Sequence, residues 1–474
     1  MLFYSCKPQT HQQGQQLTVR QIQSDYDSLR SALEEAHGGL YRYSSKDEMN
    51  QIFDRYRSQL DHPMTTRQFA SVIAGLLPEL RDGHLRLALD SATTANLATA
   101  KLLPLRIIAE HEKLRVLFND TPDDRLIQPG MELISINGHS STDLFKLFVS
   151  KLSGDGFIET AKRKRAAGGF GALYWLLIDD DSVFSVITKD NSGKRVTATL
   201  NGVLTADRDR NSAVNPVNSV INKTMKDLQG PEENISVRFI NNEIAVLRIR
   251  SFTGGNFYNE IDTVFRQLRD RKATSMILDI RGNGGGSDYY GAYLVAQFMQ
   301  RPFRYFNHIR MRTINPSFTK LRADVLDELR TGTVAESNGS YLLTTQIHNG
   351  VDEQPPGKTP FIGKLVVLED GATFSTAADV AAVLSNLTTA IFIGEESGGS
   401  YDGNTSGATA RFIFPYSKLE LNVTMYDYYN AVKPAKNKGR GTIPDFPVTL
   451  TTSDLLKGVD GQWEKALQVA KENK

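Results

Sequence analysis

A serine at a predicted helix start and a run of glycines are the residues of this chain that could do chemistry. Ser375 follows the apolar run 365–368 and a glycine-bearing turn, and it precedes the alanine-rich stretch 377–384. The glycines at 284–286 follow a second, mainly apolar run at 276–280. Acyl transfer needs a nucleophile beside backbone N–H groups that can hold an oxyanion, and these segments offer both. The pattern is therefore typical of a serine hydrolase.

Each segment also has another interpretation. Serine is a preferred helix N-cap, so the position of Ser375 alone does not separate a nucleophile from a cap. The glycines could belong to a nucleotide-binding loop. However, no Gly-Lys-Ser/Thr follows them, and Ser287 stands where the third glycine of G-x-G-x-x-G would be. A glycine-rich turn that can form an anion-binding nest favours the nucleophile.

Four motifs of the chain resemble those of the S41 serine peptidases, a family that includes tail-specific (C-terminal processing) and tricorn core proteases. The two signature motifs are Asp279-Ile-Arg-Gly-Asn-Gly-Gly-Gly286 and Ala372-Thr-Phe-Ser-Thr-Ala-Ala-Asp379. Ile393-Gly-Glu-Glu-Ser-Gly-Gly399 resembles a third block, and Gly441-Thr-Ile-Pro-Asp445 resembles the C-terminal G-x-x-P-D segment. Their order along the chain is that of the family.

The resemblance implies catalytic roles for a few residues of the two signature motifs. It makes Ser375 the nucleophile. It assigns the oxyanion hole to the N–H groups of Thr376 and of Gly284 or Gly285. The resemblance implies a polypeptide substrate, and no metal or other cofactor is expected.

The general base departs from one branch of the family. Tail-specific proteases use a lysine after the Gly-Glu of the third block, but Glu396-Ser-Gly-Gly-Ser-Tyr-Asp-Gly403 contains none. Tricorn-like members use a histidine from earlier in the chain, and His84 in Asp82-Gly-His84 is the matching candidate. A neutral imidazole can accept the serine proton near neutral pH. His84 could instead brace a turn, and His37 is the second choice.

The residue that would orient the base is left open. Tricorn-like proteins carry a glutamate just before the G-x-x-P-D segment, and Lys438 occupies that region here. Asp82, Glu395 and Glu396 are candidates, although each could equally be a structural or surface carboxylate.

The elements around these motifs predict a multidomain α/β (α+β) protein. Residues 19–95 show helical spacing of apolar residues, with a capping box at Ser45–Glu48 and a cap at Thr65 or Thr66. Residues 96–203 predict a β module, in which Pro129-Gly-Met-Glu-Leu-Ile-Ser-Ile-Asn-Gly138 resembles PDZ-like domains.

The C-terminal half predicts the catalytic domain. Residues 204–235 are polar and suit a linker or long loop. From 236 to 474, strands alternate with helices, which favours an α/β peptidase core with a mixed, ClpP/crotonase-like sheet.

The first eighteen residues predict a disordered tether. An apolar stub ending in Ser5-Cys6 precedes a glutamine-rich stretch. It resembles the end of a bacterial lipoprotein signal, although it has no charged n-region. We therefore expect a cell-envelope protein, periplasmic or an outer-membrane lipoprotein, with membrane attachment through a lipidated Cys6. An ordinary disordered N-terminus is the alternative.

Composition narrows the other classes. Lys and Arg number 55 against 54 Asp and Glu, and the longest basic tract is Lys162–Arg165, so nucleic-acid binding is not expected. No H-E-x-x-H, cysteine pair or calcium-loop spacing predicts a metal site.

We expect a serine endopeptidase that works through an acyl-enzyme. A non-catalytic protein that binds peptides or hydrophobic ligands on the same scaffold is the alternative, and an esterase is less favoured.

Overall fold

Three sheets of six strands each organise the described part of the chain. The computed structural model describes residues 16–433 and 438–472. Of the predicted tether, Cys6 lies outside the described residues. Residues 16–18 correct that prediction, because they form a short strand and the cap of the first helix. None of the helices in the described ranges has the length and apolar character that a membrane span requires.

The N-terminal part is a group of helices closed by capping boxes. Ser45 accepts a hydrogen bond from the Glu48 N–H, and the Glu48 carboxylate accepts one from the Ser45 N–H, which confirms the predicted box. Thr65 caps the third helix with Gln68 in the same way. The apolar faces pack into one core with residues of the C-terminal half. The elements are β1 (Gln16–Leu17), α1 (Val19–Ala36), α2 (Lys46–Arg57), β2 (Met64–Thr65), α3 (Thr66–Leu76), β3 (Leu87–Ala88) and α4 (Ser91–Thr99).

An antiparallel sheet follows, within the residues predicted to form a β module. Its strand order is β10-β9-β7-β6-β5, with β8 paired to β7. Alternating buried and exposed residues along β9 and β10 place one face of the sheet on a core. The elements are β4 (Lys101–Leu102), β5 (Leu105–Glu110), β6 (Lys113–Asn119), β7 (Glu132–Ile136), β8 (His139–Ser140), α5 (Ser141–Ser150), α6 (Thr160–Gly168), α7 (Phe170–Leu177), β9 (Val183–Lys189) and β10 (Arg195–Asn201).

The linker predicted for residues 204–235 is wrong as a loop, because two helices occupy it. After β11 (Val203–Leu204) come α8 (Arg208–Val214) and α9 (Ser219–Gln229). Ile221 of α9 is fully buried and packs with Phe118 and Leu455. The polar composition of the segment hides a single apolar stripe, which gains its stability from packing against other parts of the chain.

The main core sheet is mixed, as the sequence predicts. Its order is β12-β13-β14-β20-β21-β24, with β12 antiparallel and the others parallel. Helices α10, α11 and α13 cover one face and α15 covers the other. The elements are β12 (Ile235–Phe239), β13 (Ile244–Ile249), α10 (Phe257–Asp270), β14 (Ser275–Asp279), α11 (Asp288–Ala296), β15 (Phe303–Arg304), β16 (Phe306–Met311), α12 (Ala323–Gly332), β17 (Thr333–Ala335), β18 (Tyr341–Leu343), β19 (Glu353–Gln354), β20 (Lys364–Glu369), α13 (Thr376–Leu387), β21 (Ile391–Gly394), β22 (Thr405–Ile413), β23 (Glu420–Asn430), β24 (Phe446–Pro447), α14 (Thr452–Leu456) and α15 (Gly461–Lys471).

A third sheet connects the N-terminal helices to the core. Its order is β17-β18-β16-β23-β22, and β3 pairs with β23 through Leu87 and Leu421. Strand β3 begins three residues after His84, so this pairing fixes the segment that carries the histidine against the C-terminal half. The two signature turns lie together, because β14 and β20 are parallel neighbours and both turns leave from the carboxyl ends of these strands.

Candidate active site

Ser375 sits between β20 and α13 in a strained backbone conformation. Its φ of 54° and ψ of −133° lie outside the regions that ordinary residues adopt. The serine occupies the N-cap position, yet its side chain makes no capping hydrogen bond. The hydroxyl is therefore free of the structural role that the N-cap interpretation assigned to it.

Thr376 provides a free N–H group beside this hydroxyl. It is the first residue of α13, where backbone N–H groups have no partner inside the helix. Its side-chain hydroxyl donates to the carbonyl of Gly286 at 3.0 Å or to Asp288 Oδ1 at 2.7 Å. These contacts tie the start of α13 to the glycine turn, and the helix dipole adds partial positive charge there.

The glycine turn lies directly against the serine. A Cβ on Gly285, which has a φ of 100°, would lie 2.7 Å from the Cβ of Ser375. Phe374 N–H donates to the Asn283 carbonyl at 3.0 Å, so the two turns are hydrogen-bonded to each other. Only glycine allows the backbone to approach this closely.

The two glycines expected at the oxyanion hole differ in what they offer. The Gly285 N–H donates to Asn283 Oδ1 at 2.9 Å, so it is already occupied. The Gly284 N–H makes no hydrogen bond with any described residue, and a Cβ at Gly284 would meet open space. Of the three N–H groups expected at the oxyanion hole, those of Gly284 and Thr376 are thus free within the described residues.

The structure brings His84 to the residue that precedes Ser375. Its ring packs on the Phe374 ring with centroids 4.5 Å apart and a 33° interplanar angle. Neither ring nitrogen has a hydrogen-bond partner among the described residues. The imidazole is therefore held by packing, and both nitrogens keep their capacity to accept or donate a proton.

Asp82 lies beside His84 and is completely enclosed. Its Oδ1 accepts the His84 N–H at 2.7 Å and lies 3.8 Å from Nδ1 of the His84 ring. Its Oδ2 is 3.0 Å from Nε2 of His37 and also accepts from Thr424. Burial alone would raise the pKa of Asp82, but the hydrogen bond from His37 and the nearby imidazoles hold it below its usual range. His37, the second-choice base, is thus engaged with the other oxygen of Asp82.

Asp155 is a member of the site that the sequence analysis missed. It accepts the Gly83 N–H on Oδ1 at 2.7 Å, while Oδ2 has no hydrogen-bond partner. Burial, with the adjacent charge of Asp82, raises the pKa of Asp155 to about 6. Its sequence context, Ser153-Gly-Asp-Gly156, signals only a turn.

Asp82, His84 and Asp155 could hold a metal ion, although no sequence spacing predicted one. Each offers one ligand atom, and these atoms all lie within 4.8 Å of one another. Within residues 16–433 and 438–472 no other group of three such side chains meets this condition.

The remaining carboxylates proposed as orienting residues have other partners. Glu396 receives two hydrogen bonds from Arg440, at 2.7 and 2.6 Å. Glu395 lies 3.4 Å from the Gly371 nitrogen, and Lys438 donates to the Arg42 carbonyl at 2.8 Å. Of the three candidates, Asp82 alone has a described contact with His84.

Comparison with known proteins finds one matching family and several structures of similar fold. Residues 243–448 match the model of peptidase family S41. The structure of mature CPAF has a TM-score of 0.64 at 13% identity, covering 96% of this chain and 97% of CPAF. Mature CPAF complexed with lactacystin gives 0.65 at 14% identity, covering 96% and 98%. The photosystem II D1 C-terminal processing protease gives 0.43 at 15% identity, covering 95% and 97%.

No curated protein gives a match to the chain. At these identities the CPAF structures show the fold, which extends over nearly the whole chain. The family match covers β13 through β24, the segment that carries both signature turns. Ser375, in its strained turn beside a glycine loop, lies within residues 243–448, which match the model of peptidase family S41, and the chain is a serine peptidase.

Proposed function

We propose that the protein is a serine endopeptidase in which Ser375 is the nucleophile and His84 is the general base. The packing of His84 on Phe374, the residue before the serine, carries this proposal. A histidine is the base that fits, because the block after β21 contains no lysine.

Proton transfer requires the two ring nitrogens of His84 to play different roles. A neutral imidazole has one N–H and one acceptor nitrogen. The proximity of Asp82 Oδ1 to Nδ1, 3.8 Å, favours the proton on Nδ1. Nε2 is then the acceptor that takes the proton of the serine hydroxyl.

The reaction proceeds in two acyl-transfer steps. The oxygen of Ser375 bonds to the scissile carbonyl carbon while His84 takes its proton. The oxyanion accepts hydrogen bonds from the N–H groups of Gly284 and Thr376. The intermediate then expels the amine, which receives the proton from His84. A water molecule, deprotonated by the same imidazole, hydrolyses the acyl-enzyme and releases the serine.

A strained serine supports the same assignment. Backbone strain of this kind costs about 1–3 kcal/mol and persists where function requires it. Here the strained turn places a free hydroxyl close to two unpaired N–H groups and an imidazole, which is the arrangement that acyl transfer requires.

Labelling with a fluorophosphonate tests the assignment. The purified protein is compared with Ser375→Ala and His84→Gln, and the adduct is located by mass spectrometry. We expect labelling at Ser375, none in Ser375→Ala, and a rate lowered about 10²–10⁴-fold in His84→Gln. An unchanged rate in folded His84→Gln would exclude this histidine as the base.

The same experiment separates the enzyme from a binding protein. A folded wild type that takes no label would favour a protein that binds peptides without turnover. An unfolded substrate such as casein then tests the type of cleavage. Internal fragments are expected, whereas release of terminal residues alone would contradict an endopeptidase.

A further inference from the structure

We infer that Asp82, His84 and Asp155 form a binding site for a divalent transition-metal ion of the zinc type, and that its occupancy switches the peptidase off. The binding part of this inference rests on the side chains alone. The inhibitory part rests on the proposed role of His84 as base.

The geometry fits three ligands of one tetrahedral ion. Zinc binds histidine nitrogen and carboxylate oxygen at about 2.0–2.2 Å, so ligand atoms around it stand about 3.4 Å apart. The three ligand atoms already lie within 4.8 Å of one another. Side-chain rotations that move the ligand atoms by about 1 Å would bring them to these distances. Three protein ligands then leave the fourth coordination position of the ion open.

Unsatisfied polar atoms converge on the same place. Asp155 is only 2% exposed, and its Oδ2 has no hydrogen-bond partner. Both ring nitrogens of His84 are also without a partner. Buried polar groups are normally paired with a hydrogen-bond partner. The unpartnered atoms of the neighbouring Asp155 and His84 side chains therefore indicate a missing ligand.

Charge favours a divalent cation. Two carboxylates stand within a few ångströms in an enclosed position, with Asp82 at 1% and Asp155 at 2% exposure. A single divalent cation would neutralise both. One imidazole with two carboxylates is a ligand set that suits zinc and its neighbours, rather than calcium, which takes six to eight oxygens.

The surroundings of the site also resemble those of metal ligands. His37 holds Asp82 Oδ2 at 3.0 Å, and the Gly83 N–H holds Asp155 Oδ1 at 2.7 Å. Such outer contacts orient carboxylate ligands. His84 keeps 19% of its side chain exposed although both ring nitrogens are buried, so the ligand atoms lie just beneath the surface.

Metal binding would deprive the imidazole of its proton-accepting nitrogen. A cation on Nδ1, the nitrogen that faces Asp82, forces the single imidazole proton onto Nε2. Nε2 then donates a hydrogen bond and cannot accept the serine proton. Chelation would restore the original tautomer, so the inhibition is reversible.

Direct binding to the full chain tests the site independently of activity. Zinc chloride is titrated into metal-free protein by calorimetry, and cobalt(II) chloride is followed by its visible absorption. We expect one tight equivalent and the intense bands of four-coordinate cobalt. Absence of a tight zinc equivalent would overturn the inference, even in a protein that takes the fluorophosphonate.

Variants locate the ion. Asp155→Asn is expected to lower zinc affinity at least about 100-fold, since even loss of an outer contact costs about 10–100-fold. Asp123→Asn and His139→Gln change exposed residues and should bind zinc as wild type does. Equal affinity in folded Asp155→Asn would overturn the site.

X-ray absorption of the wild-type zinc complex covers the case in which that variant does not fold. One imidazole with oxygen donors is expected, and two or more imidazoles would contradict the assignment.

Fluorophosphonate labelling with and without zinc tests inhibition. Zinc should slow labelling of the wild type more than 10-fold, and a chelator should restore the rate. Asp155→Asn should keep its own metal-free rate at the same zinc concentration. Labelling of a zinc-saturated wild type at the metal-free rate would overturn the inhibitory part. A protein that never takes the label contradicts the proposed function and leaves the calorimetric result as the judge of the site.

Discussion

The imidazole of His84 packs on the phenyl ring of Phe374 with centroids 4.5 Å apart. The two residues are separated by 290 positions, yet this contact joins the N-terminal segment to the turn that carries Ser375. A Cβ on Gly83 would lie 2.8 Å from the Phe374 ring. The ring of Phe374 therefore holds the imidazole of His84 next to the turn that carries Ser375.

Removing the aromatic ring of Phe374 should slow acylation. In Phe374→Leu the imidazole loses part of its support, and displacement by about 1 Å can cost about 10²-fold in rate. We expect fluorophosphonate labelling to slow about 10–100-fold while the protein stays folded. Phe361→Leu is the matched control, because it removes a ring contact with Phe298 at 6.4 Å outside the site. Wild-type labelling by a folded Phe374→Leu would show that the contact does not position the base.

The conformation of Ser375 predicts opposite effects of one substitution on activity and stability. At a φ of 54° and ψ of −133° an L side chain is strained, whereas glycine is not. Ser375→Gly should abolish activity and unfold at a higher denaturant concentration than Ser375→Ala, with a gain of about 1–2 kcal/mol. Urea unfolding of both inactive variants measures this difference. Equal stability of the two would mean that the turn relaxes without cost.

The elements beside the signature motifs could be predicted from sequence because their strands are buried on both faces. Such strands appear as short continuous apolar runs. The predicted strand at 365–368 corresponds to β20 (Lys364–Glu369), and the predicted helix at 376–384 to α13 (Thr376–Leu387). Strand β3 is only two residues long and pairs with β23 through Leu87 and Leu421, so its place in the third sheet depends on a partner distant in sequence.

The site divides in the same way. Ser375 and the glycines come together because neighbouring parallel strands end at one edge, which the sequence pattern implies. Asp155 could not be found, since its Gly-Asp-Gly context is that of any turn. Only the packed chain brings it to His84. Likewise, only the packed chain shows that the Asn283 side chain occupies the N–H of Gly285 and leaves that of Gly284 free.

The two glycines proposed for the oxyanion hole, Gly284 and Gly285, should respond differently to substitution by alanine. In Gly285→Ala the new Cβ would lie 2.7 Å from the Ser375 Cβ at a φ of 100°, so we expect loss of labelling and of about 2 kcal/mol or more in stability. Gly284→Ala is the matched control, since its Cβ meets open space. It should unfold like the wild type. Thermal unfolding and labelling of the pair provide the measurement, and equal tolerance of both substitutions would contradict the close approach.

A buried carboxyl at the end of β20 should make stability depend on pH. Glu369 is 0% exposed, and neither of its oxygens has a hydrogen-bond partner. Burial, reinforced by the nearby carboxylates of Asp370 and Glu396, raises the pKa of Glu369 well above its ordinary value. The folded protein thus keeps this proton at a pH where the unfolded chain has released it.

The sign of the effect follows from proton linkage. As pH rises above the unfolded pKa of about 4.3, the unfolded state binds fewer protons, so the free energy of unfolding falls. Glu369→Gln removes this penalty, because its amide does not ionise. The variant should match the wild type in its pH response near pH 4 and become progressively more stable than it towards about pH 8. Glu328→Gln, at an exposed position of α12, should keep the pH response of the wild type. Urea midpoints across this range decide the matter: parallel curves for Glu369→Gln and the wild type would mean that Glu369 is ionised in the folded protein, with a partner such as water entering the site.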